Sequence, residues 1–268
     1  MPPALREIFA GLASTYERVN HVLTLGLDVP WRRRAARIAA RGGGPRWLDV
    51  CSGTGDMARH LRRWAEPGTR IVALDFCRPM LARSAGRPAG EAVFDFVLAD
   101  AALLPFPDAS FDLLTVAFAT RNLNLSRAGL TGTFREFLRV LKPGGRFVNL
   151  ETSQPRFRPV RLIFRAYVRV FVLPIGRRLS GSNAGYDYLS RSIPEFYPAE
   201  ELAAILMEAG FPAVTFRRFL FGASAVHLAV KGAKKANERP VHRAKTRVFS
   251  RSGNDQGPAD QSSSVSRS

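Results

Sequence analysis

From Arg46 onward, short apolar runs alternate with stretches whose apolar residues recur at helical spacing, the pattern of a parallel sheet flanked by helices. The runs predict strands over Arg46 to Val50, Arg70 to Asp75, Phe94 to Ala99, Phe111 to Phe118 and Arg146 to Glu151. A helix is expected from near Asp56, and another over Gly129 to Leu141, closed by the stop signal Lys142-Pro143-Gly144-Gly145. Ala199 to Ala209 reads as a helix, and Val214 to Leu220 with Ala225 to Lys231 as a final hairpin. Two additions flank this α/β core: a helical segment over Leu5 to Arg41, ending at Gly42-Gly43-Gly44-Pro45, and an insertion from Thr152 to Tyr197. In open α/β sheets ligands bind at the carboxyl ends of the strands, so additions near those ends are placed to shape a substrate pocket.

Composition sets the domain limits. With 268 residues, 46% of them hydrophobic, the chain can bury a sizeable core. From about Gly232 to Ser268 large apolar residues give way to Lys, Arg, Ser, Asn, Gln and Pro, a composition that cannot offset chain entropy by burial. The expected organisation is an N-terminal helical segment at 1–45, a catalytic domain at 46–231 carrying the insertion 152–197 as a lid, and a disordered basic tail at 232–268.

The net charge of +18, mostly arginine, suits contact with phosphates of nucleic acid or of anionic lipid, and equally an ordinary solvated surface. The two cysteines, Cys51 and Cys77, have no metal or redox spacing, which implies neither a disulfide framework nor a metal site and points to a reducing cytosol. No secretion signal is expected at the N-terminus. The apolar stretch from Leu162 to Ile175 is too short to span a bilayer and is interrupted by Arg165 and Arg169. Arg158, Arg161, Arg165 and Arg169 instead recur at helical spacing against Val160, Ile163, Phe164, Tyr167, Val168 and Phe171. That is a basic amphipathic helix, suited to a membrane surface or to packing on the core or a second subunit.

Chemistry enters at Leu48-Asp49-Val50-Cys51-Ser52-Gly53-Thr54-Gly55-Asp56, where a strand runs into a tight glycine turn whose backbone can approach a ligand. Gly53-Thr54-Gly55-Asp56-Met57-Ala58 also fits a dinucleotide fingerprint, so a hydride-transferring oxidoreductase is a rival. Charge separates the two: Asp49 and Asp56 beside the loop repel a pyrophosphate and attract an ammonium or a sulfonium, both of which S-adenosylmethionine carries. Asp75, twenty residues after Gly55 at a strand end, can accept hydrogen bonds from ribose hydroxyls in either case. Cys51 reads as a small residue fitting a tight turn rather than a nucleophile.

Further motifs follow in order: Tyr16-Glu17-Arg18-Val19-Asn20, Leu25-Gly26 before Trp31-Arg32, Asp100-Ala101, Leu104-Pro105-Phe106-Pro107-Asp108, Ala117-Phe118-Ala119-Thr120-Arg121-Asn122 and Leu141-Lys142-Pro143-Gly144-Gly145-Arg146. Leu173-Pro174, Tyr186, Tyr188-Leu189, Ser192-Ile193 and Phe196 continue them through the insertion. In these the chain resembles, from about Ile8 to Lys231, the C-methyltransferases of menaquinone and ubiquinone biosynthesis. It departs from that family's pattern at Glu17, Ala117 and Ala119-Thr120.

The resemblance implies a class I S-adenosylmethionine methyltransferase fold, a Rossmann-like, mostly parallel seven-stranded sheet with helices on both faces. It implies cofactor contacts at Thr54, Asp75, Asp100 and Ala101, to which the loop itself adds Asp49, Gly53 and Gly55. The implied reaction is methylation of a ring carbon of a reduced quinone, with Arg121 stabilising the developing phenolate and Asn122 orienting the ring hydroxyl. Arginine is a poor base, so the proton needs another acceptor: His21, Tyr16, Tyr186 or Glu151, with Tyr186 preferred. Ala117, where ubiquinone-making members can carry serine, favours demethylmenaquinol over the benzoquinol of the ubiquinone pathway. The implied partners are a polyprenylated quinol and the anionic inner face of the cell membrane, met peripherally from the cytoplasm; a homodimer is open. Nucleic-acid methylation is disfavoured, because no Asn/Asp-Pro-Pro-aromatic motif follows the fourth strand and neither cysteine sits in a pyrimidine-methylating context. A cofactor-binding interaction protein remains the non-enzymatic alternative.

Overall fold

Trp47 on one side of the first strand and Leu48 and Val50 on the other are buried in two different cores, as a strand covered by helices on both faces requires. The computed structural model describes residues 7, 9–11, 13–86, 94–172, 174, 175, 178 and 192–233. Its strands are β1 (Arg46–Val50), β2 (Arg70–Asp75), β3 (Phe94–Leu98), β4 (Phe111–Ala117), β5 (Leu141–Thr152), β6 (Ala213–Phe219) and β7 (Ser224–Val230). Its helices are α1 (Tyr16–Leu23), α2 (Asp28–Ala40), α3 (Asp56–Arg62), α4 (Arg78–Ala85), α5 (Thr120–Leu123), α6 (Arg127–Val140), α7 (Arg158–Tyr167) and α8 (Ala199–Glu208).

All seven strands join one sheet in the order β3-β2-β1-β4-β5-β7-β6, parallel except for β7, which pairs antiparallel with both neighbours. The chain reverses direction across the sheet between β1 and β4, which opens a crevice at their carboxyl ends. One face is covered by α6 and α8, whose Phe134, Phe137, Leu202 and Leu206 pack with Phe147 and Phe211. The other is covered by α2 and α3 through Ala35, Ala36, Ala39, Met57, Ala58 and Leu61. The three alanines let α2 lie close to the sheet, and this brings its first turn over the crevice. A smaller cluster of Val19, Val168, Val172 and Ile193 ties α1 to the insertion.

The expected seven strands are all present, with corrections at the ends of elements. The N-terminal helical segment is broken at Thr24–Leu27, where Leu25 and Gly26 take positive φ. Helix α6 begins at Arg127 rather than Gly129, because the Ser126 hydroxyl caps it by accepting from the Gly129 N–H at 3.1 Å. Strand β5 begins at Leu141 rather than Arg146: Leu141 already pairs with Phe111, and Lys142-Pro143-Gly144-Gly145 forms a bulge inside the strand instead of a turn before it. The final hairpin closes through a single 3-10 turn, Leu220–Gly222. Most of the insertion past Val172, and the tail from residue 234, lie outside the described residues.

Candidate active site

The turn after β1 is built around three positive-φ residues. Cys51 (φ 54°), Gly53 (φ 54°) and Gly55 (φ 80°) bend the chain into the start of α3, and the Gly55 N–H donates to the Ser52 carbonyl at 2.9 Å. The two glycines do different work. A side chain on Gly55 would collide with the Ser84 hydroxyl, so that glycine allows α4 to close on the loop. One on Gly53 would meet nothing within 4 Å, because it points into an open cleft.

That cleft, with about 620 Å³ of empty space, is lined by Asp49, Ser52, Gly53, Thr54 and Asp75 from the first two strand ends. Ala117, Ala119 and Asn122 close it from beyond β4, and Phe9 and Tyr16 from the N-terminal segment. Asp75 accepts from the Gly53 N–H at 2.8 Å with one oxygen and from the Cys77 N–H at 2.9 Å with the other, and burial raises its pKa to about 6. Asp49 is fully buried. Its Oδ1 accepts from the Thr115 hydroxyl at 2.6 Å, and burial, opposed by that bond and by the Arg32 charge, raises its pKa to about 7. Burial and the carboxylates of Asp75, Asp49, Asp100 and Glu151 push the Cys51 thiol well above its ordinary range, so it is no nucleophile.

The cleft fits a cationic, hydroxyl-bearing ligand. Asp49 Oδ2, Ser52 Oγ and Asn122 Oδ1 line it, buried and without a hydrogen-bond partner of normal geometry among the described residues. Each such atom costs about 1–3 kcal/mol until a donor reaches it. S-adenosylmethionine offers an ammonium, a sulfonium and two ribose hydroxyls to these acceptors, and Asp49 Oδ2 beside a cation is held ionised.

A second, larger cavity of about 1340 Å³ adjoins the first and is mostly apolar. Trp31, Phe118, Ile163, Phe164, Val168 and Val172 furnish much of its wall, and its polar exceptions include Asp28, Arg32 and Arg121. Helix α7, which carries Ile163 and Phe164, has no buried residue, and it passes into a π turn at Val168–Val172. Leu25, Leu220 and Phe221, at the rim of this cavity, are all more than half exposed.

The partition between the two cavities is the segment from Ala117 to Asn122. Ala117, Ala119 and Asn122 face the first cavity, Phe118 and Arg121 the second, and Arg32 lines both. Phe118 achieves its reversal with φ at 58°. Among the described residues six non-glycine residues have positive φ, and five of them, Leu25, Cys51, Phe118, Leu220 and Phe221, line one cavity or the other. Backbone strain of this kind, about 1–3 kcal/mol per residue, persists where surrounding structure imposes it and clusters at functional sites.

Arg121 is buried and donates from Nη1 to Glu151 Oε1 at 2.8 Å, while its backbone N–H donates to Glu151 Oε2 at 3.2 Å. Its Nε is buried with no hydrogen-bond partner among the described residues. The residues proposed from sequence therefore divide. Asp49, Gly53, Thr54, Asp75 and Asn122 come together in the first cleft, and Arg121 stands across the partition from Asn122. Gly55 serves packing, and Asp100 and Ala101 lie outside the lining: Asp100 accepts from the Ala102 N–H at 2.9 Å, and Ala101 belongs to the core. Tyr186 lies outside the described residues. Sequence reasoning missed Asp28 and Arg32 as cavity residues. Their i, i+4 spacing on the face that carries Ala35, Ala36 and Ala39 was the available signal.

The profile of the ubiE/COQ5 methyltransferase family matches residues 3–231. A ubiquinone/menaquinone biosynthesis C-methyltransferase UbiE from Geobacter sulfurreducens is 38% identical, with 86% of this chain and 89% of that protein covered. A demethylmenaquinone methyltransferase from Thermus thermophilus is 37% identical, with 82% of this chain and 98% of that protein covered. Among solved structures, an S-adenosylmethionine-dependent methyltransferase from Thermotoga maritima shares the fold, with a TM-score of 0.56 at 19% identity over 84% of this chain and 99% of its own.

Proposed function

This chain belongs to the ubiE/COQ5 methyltransferase family, and from that premise we propose that it transfers a methyl group from S-adenosylmethionine to a ring carbon of demethylmenaquinol, giving menaquinol. It is an S-adenosylmethionine-dependent C-methyltransferase of quinone biosynthesis. The observation that carries the substrate reading is the shared partition: a polar cleft suited to a cationic donor meets an apolar cavity suited to a prenylated ring across a single segment, Ala117 to Asn122.

S-adenosylmethionine, bound in the first cleft, supplies an electrophilic methyl on sulfur. Asp49 and Asp75 would hold it through charge and ribose hydroxyls, with Gly53 leaving room for its approach and Thr54 lining the same cleft. The chain must then align the quinol ring, favour phenolate character and exclude water. Arg121 faces the second cavity with Nε unpartnered, and Glu151 fixes the guanidinium so that Nε is offered to the ring oxygen. Asn122 Oδ1 faces the donor side of the partition, where it would accept a hydrogen bond from S-adenosylmethionine rather than from the ring. Phe118 and Trp31 supply apolar walls for the ring system.

A polyprenyl tail requires access from a bilayer. No helix among the described residues is long and apolar enough to cross a membrane. Entry from the membrane surface is supported by α7, on which Leu162 and Ile163 are 67% and 70% exposed beside Arg158, Arg161 and Arg165, at the mouth of the apolar cavity. The enzyme accordingly works from the cytoplasm on the inner face of the cell membrane.

The test is methyl transfer from labelled S-adenosylmethionine to chemically reduced demethylmenaquinone with a short prenyl tail, followed by mass spectrometry of the quinones. Menaquinone carrying one new methyl is expected. Transfer only to the benzoquinol, or only to RNA, would overturn the assignment.

A further inference from the structure

Replacing a ring C–H by C–CH3 has a strict balance. The ring's π pair forms the new bond, the pair of the broken S–CH3 bond stays on sulfur, and one proton must leave the acceptor site for each methyl delivered. The second cavity is largely apolar, and Arg121 and Arg32 in its wall cannot take that proton, because guanidinium stays charged. Glu151 does not line that cavity; its carboxylate holds Arg121 and Thr152 instead.

Among the described residues Asp28 is the carboxylate in the wall of the quinol cavity, 2% exposed. It also lines a third, polar cavity, so its side chain forms part of the wall between that cavity and the quinol site. Its Oδ1 accepts from the Thr24 hydroxyl at 2.9 Å, and its Oδ2 accepts from Arg32 Nη1 at 2.8 Å. His21 Nδ1 stands 2.9 Å from the same Oδ2. The His21 ring lines the third cavity, not the quinol site, and its side chain is 44% exposed. A carboxylate facing the substrate, an imidazole in contact with it and a water-accessible outer side thus form an unbroken file through the wall.

Resting on the assignment of a quinol to the second cavity, we propose that Asp28 accepts the hydroxyl proton of the bound quinol and that His21 carries it to the surface. The step is balanced within the file. The quinol O–H bond breaks and its pair stays on oxygen, which Arg121 and Arg32 would stabilise. After methyl transfer the ring C–H bond breaks, its pair restores the aromatic ring and its proton replaces the one lost from oxygen, so one proton leaves the site per methyl. The proton joins the Asp28 carboxylate and then His21 Nδ1 while the ring proton is on Nε2, and the imidazolium releases its Nε2 proton to water. Arg32, which lines both the donor and acceptor cavities and lies 4.9 Å over the Phe118 ring, holds Asp28 in the wall of the quinol cavity. The charges facing His21 in the third cavity are Asp28, Glu17 and Asp56 on the acidic side, and Arg32, Arg59, His60 and Arg63 on the basic side.

A purely structural Asp28, anchoring the first turn of α2 through Thr24 and Arg32, is the alternative, and H21Q separates the two. Glutamine keeps a polar contact to Asp28 at a half-exposed position but carries no proton. In single-turnover methyl transfer on the full chain, H21Q is expected to lose about tenfold in rate, with S-adenosylmethionine affinity unchanged, and to regain it when imidazole is added. D28N is expected to lose about 10²–10³-fold, with no rescue. An H21Q enzyme with wild-type rate and pH profile, or one whose loss imidazole does not restore, overturns the proton path. Wild-type protein that fails to methylate demethylmenaquinol at all overturns the functional assignment instead, so the two failures are distinguishable.

Discussion

Arg121 and Glu151, 30 residues apart in the chain, meet through two contacts to one carboxylate: Nη1 to Oε1 at 2.8 Å and the backbone N–H to Oε2 at 3.2 Å. Both are buried, so the guanidinium is locked in orientation as well as neutralised in charge. A cation that must stabilise a transient phenolate gains from such locking, because no reorganisation is needed when charge develops.

Removing either partner then has a distinct signature. R121A is expected to lower the single-turnover rate about 10²–10³-fold with S-adenosylmethionine affinity nearly unchanged. E151A leaves a buried, unpaired guanidinium and is expected to cost about 3–5 kcal/mol of stability, read as a fall in denaturation midpoint. An E151A protein as stable as wild type would contradict the pairing.

Asp49 and Asp75 predict a pH dependence. Their pKa values in the folded chain are raised, to about 7 and about 6, above the ordinary carboxylate value. The folded chain therefore binds more protons than the unfolded one between roughly pH 4 and 7, and these two groups add stability as pH falls through that window. Binding of a cationic donor works the other way, since it needs the carboxylates ionised. Calorimetry is expected to show S-adenosylmethionine binding about tenfold weaker at pH 6 than at pH 8, with proton release on binding. D49N should flatten the upper part of that dependence.

The two loop glycines are expected to fail differently. G55A forces a methyl onto Ser84 as well as a left-handed φ, so the loss appears as a lower melting temperature. G53A meets no neighbour and costs only the left-handed conformation, about 1–2 kcal/mol, but its methyl intrudes on the cleft. Weaker S-adenosylmethionine binding, with a smaller stability change than in G55A, is the expected result.

On the membrane side, I163D and F221D place charge on exposed apolar positions at the rim of the quinol cavity. Co-sedimentation with anionic vesicles should fall several-fold, and so should turnover of a long-chain quinol delivered in vesicles. A soluble short-chain quinol should be affected less. Equal loss on both substrates would show that the positions act on the ring rather than on membrane access.

The strands were legible in the sequence because a parallel sheet covered on both faces writes itself as short apolar runs, and β1 and β2 begin and end where the runs do. Strand β5 was harder: Pro143 and two glycines read as an interruption, and only the pairing of Leu141 with Phe111 shows that the ladder starts before them. Asp49 was legible as a cofactor residue, but its full burial was not, since burial depends on the neighbouring strand that brings Thr115 alongside. Arg32 was hidden among its neighbours in the run Trp31-Arg32-Arg33-Arg34, and Asp28 stands three residues before that run. Which arginine turns inward is decided by the face on which the helix packs its alanines, a tertiary choice that charge counting does not register.

The partition from Ala117 to Asn122 has one more consequence. Successive side chains there belong to opposite rooms, so an inserted or deleted residue would exchange their furnishings, sending Phe118 toward the donor and Asn122 toward the prenyl tail. Side-chain substitutions can retune either room separately, but the length of this stretch is not free to drift.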